Sequence, residues 1–187
     1  MTAMSSRSAR LLQLSAADFR TRLPEALAVY TTAMGYAPGT AEQRAPTWLA
    51  HIQREGWRNV VALDTAGSLI GLTYGYRGMA GQWWHEQVRK GFIEGGSKGA
   101  SDDWLDDYFE LTELHVRPPS QAHGIGEELL RKLLDDVPQS KVLLSTPEGT
   151  TRAWRLYRRL GFQDILRHHY FAGDPRPFAV LGRRLPL

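Results

Sequence analysis

Cysteine is absent from this chain of 187 residues. No disulfide, thiolate metal site or cysteine nucleophile can therefore form. Also missing is any apolar run near the roughly 20 residues that span a bilayer, and residues 1–7 lack the apolar core of a secretion signal. These absences predict a cytoplasmic protein with no membrane partner. The net charge is only +3, and no nucleic-acid motif accompanies it, so nucleic acid is disfavoured as a partner. No two histidines have zinc-site company, so no metal is expected. Hydrophobic residues at 42% and charged residues at 23% are ordinary for a globular protein. A chain of this length can bury about two thirds of its unfolded surface. With no internal repeat or linker, one domain over residues 1–187 is expected.

The charge is unevenly spread. Asp102, Asp103, Asp106, Asp107, Glu110 and Glu113 fall in a stretch without Lys or Arg. That stretch either attracts a cationic substrate or forms a solvated rim. Arg152, Arg155, Arg158, Arg159, Arg167, Arg176, Arg183 and Arg184 crowd the C-terminal region, which suits a polyanionic ligand or simply solvated faces.

Apolar spacing predicts a strand over residues 9–14 and, after a Ser15 cap, one helix over 16–34. A second helix follows over 41–54. Two strands, 60–63 and 69–76, flank the turn Asp64-Thr65-Ala66-Gly67. Residues 78–107 are the least regular part of the chain, expected as an insertion with a helix near 83–92. Its Trp83, Trp84, Phe92 and Trp104 either wall a substrate pocket or anchor the insertion. The strand 108–116 changes apolar parity between Leu111 and Leu114. A bulge near Thr112-Glu113, or burial on both faces, would each account for that. Then come a helix from 125 to Val137, a strand at 141–145, a helix at 150–160 closed by Gly161, and strands at 162–171 and 178–185. His168 and His169 alternate across the first of these, so one of them can face a cleft as a proton carrier.

Between strand 108–116 and its following helix lies Gln121-Ala122-His123-Gly124-Ile125-Gly126. Two glycines at a helix start let an anion approach free N–H groups and the positive end of the helix dipole. A dinucleotide fingerprint needs a third glycine where Leu129 stands. A Walker loop needs a terminal Gly-Lys-Ser/Thr, also absent.

This run resembles motif A of the GCN5-related N-acetyltransferases (GNAT), Gln/Arg-x-x-Gly-x-Gly/Ala, preceded here by Val116-x-Pro118. Downstream, Ala153-x-x-Leu156-Tyr157-x-x-x-Gly161-Phe162 resembles motif B of the same family. The resemblance implies an α/β (mixed α+β) GNAT-like acyl-CoA N-acyltransferase fold. That fold is a central, mostly antiparallel sheet with helices on both faces, its fourth and fifth strands parallel and splayed. It implies direct acetyl transfer from acetyl-CoA, as co-substrate, to a primary amine of a small molecule or peptide. A non-catalytic acyl-CoA-binding or sensing domain is the alternative, and a homodimer is compatible with either.

The family's roles fall on named positions. Backbone amides of Gln121, Ala122, His123, Gly124, Ile125 and Gly126 would hold the pyrophosphate. Leu114, His115 and Val116 would pair with the pantetheine arm through main chain only. Thr150, where many members carry Asn, and Ala153 would border the cofactor. Tyr157 would protonate the leaving thiolate. Glu113, ahead of Glu110, would take the proton of the attacking amine.

Overall fold

The computed structural model describes residues 9–187, so the reading of residues 1–7 lies outside the described part. In chain order the elements are β1 (Arg10–Leu12), α1 (Ala16–Thr21), α2 (Leu23–Met34), α3 (Thr40–Ile52), β2 (Arg58–Leu63) and β3 (Leu69–Arg77). They continue with α4 (Trp83–Glu94), α5 (Lys98–Trp104), β4 (Tyr108–Val116) and a 3-10 turn at Pro118–Ser120. The last are α6 (Ile125–Leu134), β5 (Lys141–Pro147), α7 (Arg152–Arg159), β6 (Gln163–His169) and β7 (Phe178–Arg184). The strands form a seven-stranded sheet in the order β1-β2-β3-β4-β5-β7-β6. β1 runs antiparallel to β2, and β7 antiparallel to both β5 and β6. β4 and β5 are parallel, paired from Tyr108–Lys141 to Glu110–Leu143. This is the mixed α/β sandwich that the motifs imply.

The described chain divides into two compact units, one of residues up to Tyr74 with Glu113–Leu133, the other of Gly75–Thr112 with Leu134–Leu187. In the first unit, β3 is covered on both faces. Gly71 faces α6 so closely that a Cβ there would sit 3.1 Å from Leu129 Cδ1 and 3.3 Å from the His115 carbonyl. Tyr74, an odd number of residues on, points the other way. Its ring packs edge-on against Phe19 of α1 and Trp48 of α3, at 6.0 and 5.2 Å. Ser15 caps α1 as expected, accepting from the Asp18 amide at 3.0 Å.

The single helix expected over 16–34 is two helices. Pro24 sits in the first turn of α2, where its missing N–H costs nothing, whereas in a helix interior it would break the ladder.

In the second unit, residues 78–107 hold the helix expected near 83–92, seen as α4, together with a second, α5, and α4 is built into the core. Trp84, Val88 and Phe92 of α4 cluster with Leu105, Tyr108, Leu143 and Val180, all buried. Gly91 is closely packed. A Cβ there would lie 2.8 Å from both His169 Nδ1 and Leu166 Cδ1, so the glycine is what lets α4 lie against β6. Trp104 packs over Gly182 of β7 and carries Arg184 on its ring at 5.6 Å. The aromatic residues Trp84, Phe92 and Trp104 therefore anchor α4 and α5, while Trp83 stays 54% exposed.

The N-terminal half of β4 is buried on both faces: Tyr108, Phe109, Glu110 and Leu111 are all 4% exposed or less. Apolar parity carries no face information in such a segment. The remaining differences lie at element ends. α6 stops at Leu134 rather than Val137, with Asp136 turning left-handed at φ 57°. His168 and His169 do not alternate regularly, because β6 shifts register between Leu166 and His169 and His168 takes φ 50°.

Gly75 is the tightest point between β3 and β4 inside the second unit. A methyl there would run into the Glu110 carbonyl oxygen and the Phe109 ring. Gly75→Ala is expected to lower unfolding free energy by about 3 kcal/mol, the upper range for overpacking a core. Urea denaturation against the parent checks this.

Candidate functional site

In the first unit the site is built along β4 and the turn that follows it. Thr73 Oγ1 donates to the Glu113 carbonyl at 2.8 Å, and the Arg117 amide donates to Ile70 O at 2.8 Å. The Gln121 side chain then folds back, its amide donating to Val116 O at 2.8 Å. These bonds fix the start of the turn.

Inside the turn, Ala122 and Gly124 take φ of 65° and 80°. Glycine suits such angles, whereas alanine pays about 1–2 kcal/mol for them. Around Gly124 the space is open: an added Cβ would meet only Glu128 Oε1, at 3.9 Å. The first backbone bond into α6 runs from the Glu128 amide to Gly124 O at 3.1 Å. The N–H groups of Ile125, Gly126 and Glu127 thus precede the helical ladder, at the positive end of its dipole. Such a helix start, with open space around Gly124, fits a phosphate-bearing ligand. His123 is exposed, its Nδ1 3.3 Å from Ser120 O.

Glu113 and His115, two apart on β4, share one side of the strand. His115 Nε2 lies 2.5 Å from Glu113 Oε2, and the two side chains are only 10% and 14% exposed. A carboxylate accepts, so Nε2 carries the hydrogen of this bond. This bond gives the His115 side chain a contact that a reading of its main chain alone does not include. Sequence could have found it, because i and i+2 on a half-buried strand place an acid beside an imidazole.

The His115 ring meets Tyr30 of α2 edge-on at 5.0 Å. Tyr30 in turn packs on Tyr36 at 5.3 Å and Trp48 at 5.5 Å. Arg44 Nε donates to the Tyr30 hydroxyl at 3.1 Å. Burial raises the Tyr30 pKa, so the phenol stays neutral, while Arg44 is held protonated beside it. Behind them, His51 Nδ1 and Tyr74 OH lie 3.0 Å apart. Burial first, then the positive charge of Arg54, pushes the His51 pKa down to about 4.

In the second unit, Glu110 is 4% exposed and accepts from the Tyr76 hydroxyl at 3.2 Å. Tyr157, 6% exposed, lies on α7 with its ring 5.4 Å from Phe162. α7 is fixed at both ends. Thr151, rather than Thr150, is its N-cap, accepting from the Trp154 amide at 3.1 Å. At the other end Phe162 N bonds Tyr157 O and Gly161 N bonds Arg158 O, both at 3.0 Å, with Gly161 at φ 80°. This double closure is the Schellman arrangement. Thr150 is exposed, its carbonyl accepting from Arg155 at 3.0 Å, and Ala153 is half-buried.

The acidic run is largely consumed by structure. Asp103 pairs with Arg184 at 2.9 Å, Asp106 pairs with the buried Lys141, and Asp107 accepts from the Ser140 amide at 2.9 Å. Many C-terminal arginines are engaged likewise. Arg158 and Arg167 both stack on Trp154 at 5.1 Å and share Asp164. Arg176 pairs with Asp174 at 2.7 Å. His168 pairs with Glu148 at 2.8 Å on the surface. His169 is held low in pKa by burial and meets Phe171 edge-on at 4.7 Å.

Comparison with known proteins gives a consistent result. The Acetyltransferase (GNAT) family matches residues 28–162. A GCN5-like protein acetyltransferase of Mycobacterium tuberculosis is 46% identical over 202 aligned residues, covering 95% of this chain and 98% of that protein. The fold is shared with the ribosomal-protein-S18-alanine N-acetyltransferase of Escherichia coli at a TM-score of 0.64 and 17% identity, over 96% of both chains. It is shared also with the PaiA N-acetyltransferase of Thermoplasma acidophilum in complex with coenzyme A, at a TM-score of 0.59 and 16% identity, over 95% of this chain and 99% of that one.

His51 gives the first unit a signed pH response. Its folded pKa, about 4, lies below the 6.5 of a free imidazole, so the unfolded chain binds the proton first as pH falls. The stability it contributes is complete above pH 6.5 and is lost progressively towards pH 4, on the order of 2–3 kcal/mol. His51→Gln should flatten that acid-side slope, as read from melting temperatures at pH 7 and pH 4.5.

Proposed function

Since this chain belongs to the GNAT acetyltransferase family, we propose that it moves an acetyl group from acetyl-CoA directly to a primary amine of a peptide or small molecule. One observation carries the proposal. Within fourteen residues, Glu113 to Gly126, a single strand and its turn present a shielded carboxylate–imidazole pair and then a helix start with amides ahead of the ladder. The first suits deprotonation of an amine and the second a pyrophosphate. The relative from Mycobacterium tuberculosis is named a protein acetyltransferase, which favours a peptide amine. The family match extends across both compact units, which supports reading them as one catalytic domain.

The roles are those that the resemblance implies. An ammonium cannot attack a thioester, so Glu113 takes its proton, and the bond from His115 fixes that carboxylate in place. Nitrogen bonds to the acetyl carbon and the carbon–sulfur bond breaks. Tyr157 gives the departing sulfur its proton. Amides of residues 121–126 hold the pyrophosphate, Leu114 to Val116 align the pantetheine arm by main chain, and Thr150 and Ala153 border it. Glu110 is the weaker base candidate, being more deeply buried than Glu113 and already bonded to Tyr76.

Thiol release with an amine panel tests these roles. Glu113→Gln should lose roughly 10²–10⁴ in kcat/KM, the usual worth of a general base, with Glu110→Gln losing much less. Tyr157→Phe should lower kcat at unchanged affinity for CoA. Gly124→Ala, strained at φ 80°, should raise KM for acetyl-CoA and leave the pH profile alone. Wild-type turnover in Glu113→Gln contradicts the base assignment. Coenzyme A binding without acetylation of any amine instead favours a sensing domain.

A further inference from the structure

Resting on amine acetylation as the reaction, we infer that Arg44 is a specificity residue that reads a carboxylate carried by the acceptor close to its reacting amine. Arg44 lies on α3 and is exposed. Its Nε is tied to the Tyr30 hydroxyl at 3.1 Å, and its Cζ lies 5.9 Å from that ring's centre. Among the described residues its guanidinium has no other hydrogen-bond or ion-pair partner. A guanidinium held by Nε keeps its two terminal nitrogens as a fixed fork, the geometry that takes a carboxylate bidentately.

The same Tyr30 ring meets His115 at 5.0 Å, and His115 holds Glu113 at 2.5 Å. One aromatic ring thus has the imidazole that holds Glu113 on one contact and a guanidinium fork on another, the imidazole ring at 5.0 Å and the guanidinium carbon at 5.9 Å from its centre. An extended peptide rises ~3.4 Å per residue, so an acidic side chain within about three residues of the amine spans the two.

Charge around the cluster points the same way. The titratable groups facing Arg44 and the pair are Tyr30, Tyr36, His51, Arg54, Glu113 and His115. Burial keeps the Tyr30 phenol and the His51 imidazole uncharged, and Arg44 stands positive beside them. An acceptor with several ammonium groups, such as a polyamine, would set its second charge against guanidinium. The acidic run that could have drawn a polycation is occupied by Arg184, Lys141 and Ser140. An acceptor whose amine is balanced by a carboxylate suits this arrangement. If Arg44 were merely a clasp between α2 and α3, acceptor charge would make no difference.

The test uses the full chain, acetyl-CoA and three peptides with a free amino terminus, alike except for Glu, Gln or Lys at positions two and three. The wild type should rank them Glu, Gln, Lys in kcat/KM, the extremes differing by at least about tenfold, as a charge-assisted hydrogen bond warrants. In Arg44→Gln the Glu-to-Gln ratio should fall to near one, with KM the parameter that moves. Arg44→Lys should restore part of it, and Arg44→Glu should favour the Lys peptide. Melting temperatures certify that each variant is folded. Equal use of the three peptides by the wild type, or an unchanged ranking in Arg44→Gln, overturns the inference and leaves acetylation standing. No acetylation of any peptide overturns the peptide-amine reading, and this inference with it.

Discussion

A carboxylate and an imidazole held 2.5 Å apart, both almost out of water, are the constraint around which the first unit is arranged. A half-buried carboxylate is costly unless it is hydrogen-bonded, and His115 supplies the bond from the same strand. The imidazole needs its own wall, and Tyr30 provides it edge-on. Tyr30 in turn needs Trp48 and Tyr36 beside its ring and Arg44 on its hydroxyl. The placing of α2 and α3 over β4 thus follows from covering two polar side chains without stranding them.

Much of this was legible in sequence. The turn at residues 121–126 needs positive φ and an unobstructed helix start, and glycine announces both; Gly124 has that angle and that space. Gly161 closes α7 by the same logic. β4 was found end to end. The mixed sheet, with β4 and β5 parallel, is what the resemblance to the GNAT family implies.

The rest was hidden for identifiable reasons. Pro24 reads as tolerable in a long helical pattern, but its ring forces a new first turn, so α1 and α2 separate. The glycines near position 91 look like loosened backbone, yet Gly91 is small because His169 and Leu166 press against α4. Contact of that kind is tertiary and leaves no local pattern. Burial of β4 on both faces erases the alternation on which a parity argument depends. The acidic run looks like a charged surface because its partners, Lys141 and Arg184, lie far along the chain. His115 was missed for a different reason. A motif known for its main chain drew attention from the side chain, although its spacing from Glu113 was visible.

Two of the arrangements found, the open turn before α6 and the Glu113–His115 pair, converge on one central claim, transfer of acetyl to a primary amine. Mass spectrometry of two otherwise identical peptides, one with a free amino terminus and one with it blocked, tests this most directly. With the protein and acetyl-CoA, the free peptide should gain one acetyl group at its terminal nitrogen and the blocked peptide none. Coenzyme A bound to the protein, with neither peptide modified, would contradict it.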